Sequence, residues 1–151
     1  MAPAPGLESS LPAGAYFLRA YPLVSPSTSK CSESDRYIGV SLQTNLRVEY
    51  DGGVLVARST SPADGDLEIR ASVSGSRFGQ TLVAGTARGT AVDGTTTLRF
   101  SDGGDGAASL FGTLSTYPAP FLLGDAIGSF SAESILGRET CQYAQWRLEA
   151  Y

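Results

Sequence analysis

The chain has 151 residues, of which 42% are apolar and 17% charged, with a net charge of −4 and no histidine. That length and apolar content suit one globular domain with a single core, and the acidic balance argues against a nucleic-acid or phosphate-binding surface. The missing imidazole excludes a Ser-His-Asp hydrolase and a histidine-ligated zinc site, and two cysteines are too few for a thiolate-only site.

Residues 1–13 hold Pro3, Pro5 and Pro12 and little apolar content, and read as a flexible N-terminal arm. The opening "MAPAPGLESSLPAG" lacks the apolar run of an intact signal peptide and looks like the start of a mature exported chain. A secreted or periplasmic location is expected, with a cytoplasmic one as the alternative. From Gly14 to Tyr151 the chain repeats one theme, a short strand-like run followed by a turn rich in Gly, Asp, Ser or Pro. "GAYFLRAYPLV" (14–24) comes first, and the polar loop 25–35 holds Cys31. "RYIGVSLQ" (36–43) aligns Ile38, Val40 and Leu42 on one face, and "NLRVEY" (45–50) alternates Leu46, Val48 and Tyr50 with Arg47 and Glu49. "DGG" (51–53) is hairpin chemistry, because Asp-Gly supports the positive φ of tight turns. "VLVARSTS", "DLEIRASV", the glycine-interrupted "SRFGQTLVAGTARG", "TTTLRFS" and "AASLFGTLSTY" continue the series. In "PAPFLLGDAIG" (118–128) the prolines should break pairing, and "FLLGDAIG" is the one candidate for a helical turn. "SFSAESILG" and the terminal "AQWRLEAY" complete about nine or ten strands.

Charged residues occupy one phase of "LRVEY", "LEIRA", "TLRFS" and "WRLEA", and apolar residues the other. This marks antiparallel strands wetted on one face. Sequential short strands with short turns suit an antiparallel up-and-down β-barrel, all-β throughout, in which joining first strand to last hides both edges. A β-sandwich and a β-trefoil are the alternatives. Cys31 follows the first strand and Cys141 opens the last, so a bridge between them would staple that seam. On the loop-entropy account it would be worth ~4 kcal/mol. The alternative is two buried free thiols in a reducing compartment.

The strand rhythm over residues 14–151, with an aromatic-rich first strand and a C-terminal tryptophan strand, resembles the calycin class of lipocalin-like and avidin-like barrels. The first strand reads "GAYF" where lipocalins carry Gly-x-Trp, so the resemblance implies a barrel that holds a small molecule without naming it. "AQWRLEAY" also resembles a trefoil terminal strand, although no threefold repeat accompanies it.

An eight-stranded barrel either fills itself with side chains or holds one small ligand. The inward phase collects Tyr16, Leu18, Tyr50, Phe100, Phe130, Trp146 and Leu148, with small residues such as Gly112, Ala144 and Ala150 between them. These seven are the candidate ligand-binding residues for a small hydrophobic molecule, with Tyr16, Tyr50 and the Trp146 indole N–H as polar handles. A cyclase-like barrel that folds a reactive substrate would use the same residues, and a loop-based module for protein or glycan is the third reading. Neither a metal nor a cofactor is expected. The carboxylates of "PADGDLE" and "SDGGDG" lack calcium-loop spacing and read as turn residues, and no stretch approaches the ~18 apolar residues of a membrane span.

Overall fold

The computed structural model describes residues 7–23, 41–116, 119–135 and 137–150, and of residues 21–23 the backbone alone. Among these residues the chain forms strands β1 (Gly14–Leu23), β2 (Leu42–Asp51), β3 (Val54–Ser59), β4 (Glu68–Arg77), β5 (Gln80–Asp93), β6 (Thr96–Ser101), β7 (Ala108–Ser115), β8 (Phe121–Ser134) and β9 (Gly137–Ala150). Cys31, Ile38 and Val40 lie outside the described residues.

All pairing is antiparallel. Strands β1 to β5 neighbour one another in chain order, β8 pairs with β9, and β9 pairs with β1 through Leu18↔Leu148 and Ala20↔Trp146. One lane between β5 and β8 is shared. β6 pairs with the later residues of both strands, Gly89↔Phe100 on one side and Leu98↔Ala132 on the other. β7 pairs with the earlier residues, Val83↔Gly112 and Leu114↔Leu122. The sheet therefore closes into a barrel of eight staves, one of them assembled from two short strands joined by the "DGGDG" turn. Closure removes both free edges.

The helical turn expected at "FLLGDAIG" is corrected: this segment and "SFSAES" form the single strand β8. Its backbone finds ladder partners on both sides, in β7 and β9, and that pairing overrides the local glycine and proline signals. Gly124 and Gly85 let the neighbouring strand's backbone approach closely, since a Cβ at either would collide with a backbone carbonyl, of Phe111 and Arg70 respectively. A register shift between Ile127 and Phe130 moves the buried phase of β9 from Ala144, Trp146 and Leu148 to Cys141 and Glu139.

The interior is layered so that large residues meet small ones. Trp146 lies in a cross-strand row with Gly124, Gly112 and Ala20, and a Cβ at Gly112 would stand 3.0 Å from the indole. Leu148 lies in a row of Leu114, Leu122 and Leu18. Phe100 faces Phe130 edge to face with ring centres 5.5 Å apart, and Phe130 pairs with Cys141. One contiguous cluster of buried side chains joins these layers. Ala150, expected inward, is exposed at the end of β9.

Candidate functional site

One end of the barrel is defined by the start of β1, the end of β2 and the end of β9. Residues 7–13, within the expected arm, cross this mouth. Leu7–Ser9 form a single 3₁₀ turn whose Leu7 carbonyl accepts from the N–H groups of Ser10 and Leu11. The turn carries Leu7 and Leu11 into the core, each 1% exposed. Two of the predicted ligand residues fasten it. The Tyr16 hydroxyl donates to the Pro12 carbonyl at 2.7 Å, and the Tyr50 hydroxyl donates to the Leu11 carbonyl at 2.5 Å. Burial pushes both phenols above their ordinary range, and for Tyr50 the neighbouring Tyr16 and Glu8 add to it. Both therefore stay protonated donors near neutral pH.

The remaining predicted residues fall into two groups. Leu18 and Leu148 pair with each other in the same cross-strand row. Phe100, Phe130 and Trp146 form the aromatic interior, each 2% exposed or less. The Trp146 indole donates to the Asp125 carbonyl at 2.9 Å. All three polar handles thus engage backbone carbonyls of the chain itself. The structure brings Tyr16 and Tyr50 together at the mouth and leaves Trp146 among the core residues.

Beside the cap lies a cleft of about 320 Å³, lined by Leu11, Pro12, Phe121, Arg147 and Ala150 among others. The guanidinium of Arg147 lies over the Phe121 ring, 3.8 Å from its centre. The alternation of "QWRLEA" predicts only that Arg147 faces outward. What it misses is that the 119–121 segment and the cap line the same cleft, which leaves its side chain 37% exposed.

The chain matches no known protein family, curated protein or solved structure. The site is therefore read from its own chemistry. Among the described residues, no three metal-ligating side chains come together and no helix is long and apolar enough to cross a membrane. The acidic turns use their carboxylates locally. Asp102 accepts from the N–H groups of Gly104 and Gly106 at 2.9 and 3.1 Å, and these bonds, Gly104 first, hold it below the usual carboxylate range. Asp66 accepts from the Thr90 N–H at 2.7 Å.

Proposed function

We propose that this protein is a small exported β-barrel that binds a small hydrophobic molecule bearing one or two carbonyl oxygens, seated at the mouth now crossed by residues 7–12. The observation that carries this reading is the pair of phenols, Tyr16 and Tyr50, each donating to a cap carbonyl directly above buried leucines. The cap is an apolar body with two oxygen acceptors held by two donors. A free molecule of the same chemistry matches the same place once the cap swings out, with Leu18 and Leu148 beneath it and the Phe100, Phe130 and Trp146 layers as a rigid floor. A Cys31–Cys141 bridge in an oxidising compartment fits this reading, with Cys141 already fixed in the core beside Phe130.

The test is a titration of the wild-type protein with medium-chain ketones and lactones, followed by backbone amide resonances. Binding should move the signals of residues 9–13, and the paired change Tyr16→Phe with Tyr50→Phe should weaken it by roughly tenfold, about one charge-neutral hydrogen bond. A panel that leaves those signals unmoved overturns the reading.

A second reading, partner binding through the outer surface, draws support from β7 and β8. Phe111, Leu123 and Ile127 project outward there and are 43–47% exposed. Phe111 and Leu123 flank a groove of about 510 Å³ whose other walls include Asp125 and Gln145.

A further inference from the structure

β4 outruns the strand beside it. Its pairing with β3 stops at Ala71, opposite Leu55, while its pairing with β5 runs on to Arg77, opposite Gln80. Along Ser72–Arg77 the strand therefore has one ladder and one open edge. Among the described residues, nothing pairs with it on the β3 side and no other backbone hydrogen bond reaches it. About half of the N–H and C=O groups of an antiparallel strand point to each side, so this edge is a row of donors and acceptors open to water. Every residue from Ser72 to Gln80 is exposed, and the β4–β5 hairpin stands clear of the barrel as a ribbon. Its composition does little to defend the edge, since exposed edges are usually blunted by lysine, proline or inward-facing charge. Here "SVSGSR" carries one charge, Arg77, at its far end, and a register shift between Val73 and Gly75 leaves Ser74 without a partner on β5. Gly75 is unexplained by the chain itself. Its φ is not positive, and a Cβ there would meet nothing within 4 Å; no other described glycine combines the two. The neighbouring register shift does not call for glycine either, because no left-handed residue is involved. What Gly75 leaves is bare backbone in the middle of an open edge, the feature that marks the close approach of another backbone.

We propose that this edge pairs with the same edge of a second copy of the chain, antiparallel across a two-fold axis near Gly75, so that the two hairpins join into one continuous ribbon. The segment is self-complementary in that arrangement. The small residues Ser74, Gly75 and Ser76 of both copies meet at the axis, and the two Arg77 side chains go to opposite ends, so no like charges face each other. Each hairpin tip, with Phe78 93% exposed, lies beside the base of the partner's hairpin, where Val73 is 38% exposed. The paired length is short, which places the association at the weak end of specific interfaces. None of these residues belongs to the mouth, the cap or the cleft beside it, so the proposal is independent of the ligand reading.

Sedimentation equilibrium of the full chain should show a reversible monomer–dimer equilibrium with a dissociation constant of roughly 0.1 mM. Raising the concentration should shift the amide resonances of residues 72–77 and slow their exchange with solvent. Gly75→Lys places like charges at the axis and should weaken the dimer at least about tenfold. Its circular dichroism spectrum should be unchanged, because the space at Gly75 is open. Gly75→Ser adds a side chain without charge, and since side chains stand off the ladder it should keep the wild-type constant within about threefold. A chain that stays monomeric up to about 1 mM, a Gly75→Lys dimer as tight as wild type, or an equal loss in Gly75→Ser each overturns the proposal. So does self-association whose shifts centre on Phe111, Leu123 and Ile127, which would place the contact on the outer face of β7 and β8 instead.

Discussion

Phe78 is the residue whose local conformation most contradicts its chemistry. It stands at φ 52° in the turn between β4 and β5, followed by Gly79 at φ 79°, and it is 93% exposed, with Arg77 5.4 Å from its ring centre. A side chain with a Cβ is strained in the left-handed region, and Asn tolerates it best among non-glycine residues. Phe78→Asn should therefore stabilise the protein by about 0.5–1 kcal/mol in chemical denaturation. No change in midpoint would show that the exposed ring compensates through contacts of its own. The phenols give a second prediction at this scale. Tyr50 is raised far above its ordinary value, chiefly by burial, and Tyr16 is raised too. An acid whose folded value is raised contributes fully below its unfolded value, near ~10, and that contribution is lost as pH rises beyond it. Absorbance of ionised tyrosine should show Tyr16 and Tyr50 silent until alkaline unfolding, and Tyr50→Phe should shift that unfolding to higher pH. Titration of all seven tyrosines before the structure is lost would contradict the capped mouth.

At the scale of the element, β8 has the most demanding set of neighbours. It spans 14 residues, pairs with β7 along its first half and β6 along its second, and shifts register against β9 between Ile127 and Phe130. Gly124 sits in the tryptophan row, with its Cα face against Phe111 and Gly112 of β7. Gly124→Ala should cost at least about 3 kcal/mol, because the obstacle is a backbone carbonyl and not a flexible side chain. Gly104→Ala, where the nearest neighbour is the Asp102 carboxylate at 3.5 Å, should shift the thermal midpoint little and serves as the control. A Gly124→Ala protein with wild-type stability would mean that the two strands separate at no cost.

For the whole molecule, closure is what makes the fold cooperative. Every stave has neighbours on both sides, and most of the close approaches link residues distant in the chain. If Cys31 and Cys141 are bridged, the non-reduced protein should weigh about two mass units less than the reduced one, and reduction should lower stability by roughly 4 kcal/mol. Two thiols that react with a maleimide in the native protein would count against both the bridge and export. The surface is uneven at this scale. The outer face of β3 and β4 carries paired charges such as Arg58–Glu68–Arg70, worth only about 0–1 kcal/mol each in water. The outer face of β7 and β8 carries the exposed Phe111, Leu123 and Ile127.

The alternation of apolar and charged residues by itself determined the all-β class and the inward phase of Tyr16, Leu46, Leu98, Phe100, Trp146 and Leu148, because a two-residue period admits only one buried face; between a closed barrel, a sandwich and a trefoil only the pairing of β1 with β9 decided. It could not reveal that β6 and β7 share a stave, since that depends on which long strands flank them. Nor could it show that "FLLGDAIG" is strand, because glycine and proline disfavour pairing locally and only two ready-made neighbours overrule them. The burial of Leu7 and Leu11 was equally hidden: two leucines in a proline-rich arm have no period, and only the closed mouth with its two phenols gives them a place to go. Arg147 shows the same limit at the cleft. Its phase was legible as outward, but the ring under its guanidinium and the cap beside it are brought there by the fold, from 26 residues upstream and from the first turn of the described chain.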